Sequence, residues 1–96
     1  MRFEELEFRE HPFFMFGGVQ ARKNFPNGWG VSVVSGLMSY GGIHGLYELA
    51  VFRDDEIHYD NEVALGDVRG WLSEREVEQL ATRVENFPPV KETKDE

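Results

Sequence analysis

Cysteine is absent from the 96-residue chain, which excludes disulfides, thiol nucleophiles and thiolate zinc sites and suits a reducing compartment. The cytoplasm is therefore the expected location. No apolar run approaches the ~18 residues of a membrane span, and Met1 to Glu10 is acidic where a secretory signal would be basic and then apolar. Only four prolines occur, and with 41% apolar and 14% aromatic residues the composition lies outside the disordered, collagen-like and disulfide-rich classes. Basic residues are few: ten Lys and Arg against eighteen Asp and Glu leave a formal charge of -8. Such a balance repels nucleic acid phosphates and anionic lipid headgroups, so direct binding to either is not expected.

What is present reads as one α+β domain, since a chain this short has interior for a single core. Leu6 and Phe8 alternate with Glu7 and Arg9 as in a short strand, which His11-Pro12 ends because the residue before proline is pushed out of the helical region. The Phe13 to Phe16 cluster is then expected to plug the core. Val19, Ala21 and Phe25 alternate with Gln20, Arg22 and Asn24, and Trp29, Val31 and Val33 with Gly30 and Ser32, so two strands form a hairpin. A two-residue Asn-Gly turn would pair Phe25 with Gly30. A three-residue Pro26-Asn27-Gly28 loop pairs Phe25 with Trp29 and Ala21 with Val33, and keeps both apolar faces together.

Ser35 to Gly45 is a glycine-rich loop. It is no phosphate-binding P-loop, because neither Gly-Lys-Ser/Thr nor a helix follows it. Leu46 to Arg53 has the two-sided apolar character of a central strand. Asp54-Asp55 turns the chain, and Glu56 to Tyr59 returns with Arg53 opposite Glu56 and Phe52 opposite Ile57. Ser73 followed three residues on by Glu76 is a capping box, and Leu72 with Val77 a hydrophobic staple. Val77, Leu80, Ala81 and Val84 form the apolar stripe of a helix from Glu74 to about Asn86, stopped by Phe87-Pro88-Pro89. The expectation is a single domain over residues 1–87, an antiparallel sheet of about four strands in two hairpins with one C-terminal amphipathic helix packed on it, and a disordered polar tail over 88–96.

Asp54, Asp55, Glu56, Asp60, Glu62 and Asp67 crowd the interval between Arg53 and Arg69, which holds no lysine or arginine. Their spacing is not that of an EF-hand loop, so no metal is assigned, and they are read as a docking surface for a protein with a basic face. His11, His44 and His58 lack the i, i+4 spacing of a helical metal pair. A triad built from Ser32, Ser35 or Ser39 with His44 lacks the Gly-x-Ser-x-Gly elbow. No catalytic residue and no cofactor are assigned, and the protein is read as a non-enzyme. Arg22, Tyr40 and His44 are the candidate ligand residues, with Lys23, Trp29 and Tyr47 as further walls, since guanidinium grips anions bidentately and planar rings stack. Open sheet edges together with Phe13 to Phe16 point to a homodimer.

The stretches Phe25-Pro26-Asn27-Gly28-Trp29-Gly30-Val31-Ser32-Val33-Val34, Tyr40-Gly41-Gly42, Gly45-Leu46-Tyr47-Glu48-Leu49-Ala50-Val51, Tyr59-Asp60 and Asp67-Val68-Arg69-Gly70-Trp71-Leu72-Ser73 occur in this order. Across roughly residues 11 to 87 the chain thereby resembles a group of small proteins encoded by tailed bacteriophages. The resemblance implies a phage origin and the cytoplasm of an infected bacterium, and it carries no assigned activity or catalytic residues. Two departures stand out: a glycine is expected in the turn where Asp54-Asp55 stands, and a threonine-type residue near Glu62. Small accessory phage proteins commonly act by binding. The expected function is therefore binding and inhibition of a host protein, a defence or nucleic-acid-handling factor. The alternative is a module that sequesters a nucleotide-like or other anionic small molecule.

Overall fold

A computed structural model describes residues 1–10, 17–36 and 39–90. The Phe13 to Phe16 cluster, on which the core-plug and part of the dimer expectation rest, and residues 91–96 of the expected tail lie outside the described residues. The architecture is α+β: an antiparallel sheet with one C-terminal helix packed on it. The strands are β1 (Arg9–Glu10), β2 (Val19–Asn24), β3 (Trp29–Ser35), β4 (Tyr47–Arg53), β5 (Glu56–Ile57) and β6 (Arg69–Leu72), and the helix is α1 (Glu74–Glu85). They run in the order β1-β2-β3-β4, with β5 and β6 end to end along the far edge of β4.

The sheet has six strands where about four were expected, and β6 is the one whose residues hide the period-2 pattern. β1 is only two residues long and is defined by its partners, Arg9 opposite Gln20 and Glu10 opposite Val19. Of the short strand expected over Leu6 to Arg9 it keeps only Arg9, and a single 3-10 turn stands ahead of it at Phe3–Glu5. β6 contains a glycine and a bulge, Leu72 pairing with Tyr47 but Arg69 with Leu49. One more residue stands on β6 than on β4 there, so alternation breaks.

The two hairpins have the expected registers. Ala21 faces Val33, and Phe25 N–H donates to the Trp29 carbonyl at 2.8 Å around the three-residue loop, where Gly28 takes a φ of 89°. Phe52 faces Ile57 and Arg53 faces Glu56. At that second turn Asp54 and Asp55 themselves occupy the left-handed region, with φ of 51° and 69°. Aspartate is among the few non-glycine residues that tolerate it, because its short side chain bonds locally.

One face of the sheet meets α1. Ala21, Val31, Val33, Leu49 and Val51 are buried against Val77, Leu80, Ala81 and Val84, with Leu6, Phe25, Val63, Ala64 and Leu72 completing the cluster. Each fully buried Val or Leu contributes roughly 1.5–3 kcal/mol of transfer free energy, so this stripe is what holds helix to sheet. Phe3, Phe8 and Tyr47 form a three-ring flank with centroids 5.3 to 5.7 Å apart. Burial, and after it the charge of Glu74, raises the Tyr47 phenol above its usual pKa.

Both ends of α1 are tied. At its start Glu76 N–H donates to Ser73 Oγ at 3.1 Å and Ser73 N–H to Glu76 Oε1 at 2.9 Å, the reciprocal box expected from the sequence. At its end the helix meets the β2–β3 turn. Asn27 Nδ2 donates to the carbonyls of Val84, Glu85 and Phe87 at 3.0, 3.1 and 3.0 Å, while Asn27 Oδ1 accepts from Trp29 N–H at 3.1 Å. Residues 88–90, expected to open a disordered tail, are bonded to the same turn: Trp29 Nε1 donates to the Pro88 carbonyl at 3.2 Å, and Val90 N–H to the Asn27 carbonyl at 2.8 Å.

Replacing Ser73 with alanine is expected to lower unfolding free energy by about 1 kcal/mol in denaturant melts, through loss of the cap. The Ser73 backbone N–H, first, and its hydroxyl hold the Glu76 carboxyl below its usual pKa. A lowered folded-state pKa stabilises the fold above the ordinary glutamate range, and that contribution disappears as pH falls through the lowered value. Glu76→Gln should remove this component from the acid limb of a stability–pH profile.

Candidate functional site

The described part of the glycine loop after β3, Gly36 and Ser39 to Gly45, lies against β6 through Tyr40 and Gly41. Gly36, Ser39, Gly41 and Gly42 close successive turns, with Ser39 N–H to Gly36 O at 3.1 Å, Gly42 N–H to Ser39 O at 3.1 Å and Leu46 N–H to Gly41 O at 3.0 Å. A 3-10 turn spans Gly42–His44. The loop is then fixed by two bonds from one residue. Tyr40 N–H donates to Glu48 Oε1 at 3.0 Å, and the Tyr40 carbonyl accepts from Trp71 N–H at 3.2 Å.

That second bond exists because of the β6 bulge. Gly70 and Trp71 together stand opposite Glu48, so one backbone N–H is left out of the β4 ladder and is free for the loop. Trp71 reaches this geometry with a φ of 61°, a conformation that costs a bulky side chain on the order of 1–3 kcal/mol. The contact is close on both sides, Gly41 against the Trp71 backbone and Gly70 against the Tyr40 side chain. A Cβ at Gly41 would lie 2.8 Å from Trp71 Cα, and one at Gly70 would run into Tyr40 Cβ.

The outcome is a platform of exposed rings. Trp71 is 57% and Tyr40 59% exposed, and the His44 ring lies against the Trp71 indole at 5.5 Å with 32° between planes. Two of the three candidate ligand residues, Tyr40 and His44, thus flank Trp71, Tyr40 through its backbone carbonyl and His44 ring to ring. Arg22 does not. Its guanidinium lies 3.8 Å over the Phe52 ring and donates to Asp55 Oδ1 at 3.2 Å and Asn24 Oδ1 at 3.2 Å, at the end of β4 opposite the loop. Tyr47 belongs to the core flank, and Lys23 pairs with Glu5 at 3.7 Å.

The six acids are all exposed but do not act as one free patch. Asp55 is taken by Arg22, Glu62 by Arg83 at 3.2 Å, and Asp67 Oδ1 accepts from Val68 N–H at 2.7 Å. Asp54, Glu56 and Asp60 form no ion pair among the described residues. The serine hydroxyls are occupied locally: Ser32 accepts from Gln20, Ser35 donates to the Leu46 carbonyl and Ser39 to the Gly36 carbonyl. Among the described residues no group of three His, Asp or Glu side chains could hold a metal ion, and no helix is long and apolar enough to cross a membrane.

A concavity of about 570 Å³ opens where the helix-covered face continues past the end of α1. Its walls include Trp29, His58 and Phe87 and also the carboxylate residues Asp60 and Glu62, with the Trp29 ring edge-on to His58 at 5.0 Å and to Phe87 at 4.9 Å. Arg53 lies 5.7 Å from the Trp29 ring centre and makes no ion pair among the described residues. Asn61 sets the His58 tautomer. Its Oδ1 accepts from Val63 and Ala64 N–H at 3.0 and 2.7 Å, so its amide donates to His58 Nδ1 at 3.0 Å and the neutral ring carries its proton on Nε2.

No protein-family model matches the chain, and neither a curated protein nor a solved structure matches it significantly. The geometry alone therefore carries the functional reading.

Two variants test how the platform is built. Trp71→Asn should leave stability within about 1 kcal/mol of the parent, because asparagine accepts left-handed backbone and most of the indole is in solvent. Gly70→Ala should cost about 1–3 kcal/mol, as an overpacked contact does, and should displace the Tyr40 and His44 resonances in NMR spectra.

Proposed function

We propose that the protein acts by docking on another protein through the Tyr40, His44 and Trp71 platform, as a phage-type accessory protein that binds and inhibits a host factor in defence or nucleic-acid handling. The observation that supports this reading is Trp71 itself. A strained backbone that holds a mostly exposed indole gains nothing for the core, whereas tryptophan and tyrosine are the residues that most often anchor interfaces. The glycine contacts add rigidity, so little side-chain or loop freedom is lost on association. The net charge of -8 then assigns a basic face to the partner. Asp54, Glu56 and Asp60 steer the encounter from outside the anchor, through a field that salt screens within about 8–10 Å.

The test compares variants as bait in bacterial lysate and then in binding kinetics with the captured protein. Trp71→Asn should abolish capture through faster dissociation. The triple variant Asp54→Asn, Glu56→Gln, Asp60→Asn should slow association at low salt and leave dissociation unchanged. Capture that survives Trp71→Asn would sink the platform reading.

The groove beside Trp29 favours a second reading, sequestration of a small anionic molecule. Arg53 would grip the anion and the Trp29 and Phe87 rings would bound its apolar part. In that case Arg53→Gln abolishes ligand release on heating of the purified protein, and Trp71→Asn has no effect.

A further inference from the structure

We propose that Asn27 is a deamidation site restrained by the fold, and that its conversion to aspartate covalently uncaps α1. Of the four asparagines, Asn24, Asn61 and Asn86 precede Phe25, Glu62 and Phe87, and Asn27 alone precedes a glycine. With no Cβ on the following residue, the backbone nitrogen of Gly28 meets least hindrance in attacking Asn27 Cγ. The new bond is Gly28 N to Asn27 Cγ, and the bond that breaks is Cγ to Nδ2. Ammonia leaves with the former amide proton, and water then opens the resulting five-membered imide at either carbonyl, to aspartate or isoaspartate. Amide plus water becomes carboxylate plus ammonium, with no change of oxidation state.

The native structure holds both reacting groups away from this path. The carboxamide is pinned at both ends, by the carbonyls of Val84, Glu85 and Phe87 on Nδ2 and by Trp29 N–H on Oδ1. The attacking nitrogen is engaged too, with Gly28 N–H donating to the Phe25 carbonyl at 3.2 Å. On the other side, the Asn27 carbonyl accepts from Val90 N–H at 2.8 Å. Reaction requires this end of the molecule to open, so its rate follows the population of the opened form.

The product cannot close again in the same way. An aspartate has no N–H to give, and its carboxylate would face three carbonyl oxygens at the negative end of the helix dipole. Isoaspartate would add a methylene to the backbone of the three-residue turn and shift the Phe25–Trp29 pair out of register. Opening thus becomes one-way, and Asn27 records it chemically.

The experiment incubates the full chain at mildly alkaline pH in buffer and in denaturing urea and follows the peptide spanning residue 27 by mass spectrometry. Asn24, Asn61 and Asn86 serve as internal controls. Deamidation should be confined to residue 27 and should run at least about tenfold slower in buffer. The product mimic Asn27→Asp should unfold at lower denaturant concentration than the parent. Equal rates in buffer and urea, or an Asn27→Asp midpoint equal to the parent's, would overturn the proposal.

Discussion

The carboxamide of Asn27 is the contact on which the lower half of the molecule depends. Helices end with carbonyls that have no intrahelical partner, and a buried or half-buried acceptor left unpaired costs on the order of 1–3 kcal/mol. Here the partner comes from 57 to 60 residues away in the chain. One side chain satisfies the end of α1, and its Oδ1 takes the backbone N–H of Trp29. Its own carbonyl holds Val90. The hairpin turn, the helix terminus and the segment that follows the helix thereby become one unit. The same contact helps form the Trp29 groove, since it holds the Phe87 carbonyl beside the turn while the Trp29 indole itself bonds the Pro88 carbonyl.

At the opposite end of β4 the organising constraint is steric. Glycines at 41 and 70 let the loop and β6 come close, and the bulge between Arg69 and Leu72 frees the N–H that fastens the loop. The two ends of the sheet therefore solve different problems. One closes the core with a side-chain cap, and the other spends backbone strain to keep Tyr40, His44 and Trp71 in solvent. Strain kept at a position that does not support the core is the physical argument for a binding role there.

The charge pattern fits the same division. On the proposed docking reading, an acidic chain with an aromatic anchor separates the long-range and short-range parts of recognition: charge affects how fast partners meet, and buried rings affect how long they stay. Asp55 and Glu62 show why a count of acids overstates a docking surface. Each is paired with an arginine of its own chain, an exposed interaction worth little for stability that still removes a free charge.

Local pattern was enough for every element whose information lies within a few neighbours. The capping box at Ser73, the stripe from Val77 to Val84 and the registers of both hairpins follow from periods of 3.6 and 2 and from turn chemistry, so they were legible from the residues alone. Tyr40 and His44 were singled out as rings in a glycine loop. Their companion Trp71 was missed because a bulged four-residue strand has no alternation to read, and Arg22 was misplaced among them because composition does not say which end of a sheet a side chain reaches. Asn27 looked like a turn residue and proved to be a helix cap. The sequence by itself determined secondary structure and the apolar faces, which depend on short-range sterics and solvent exclusion. Only the tertiary structure decided which distant backbones would meet, because the pairing of a helix end with a hairpin turn, or a loop with a bulge, depends on how the whole chain packs and leaves no periodic trace.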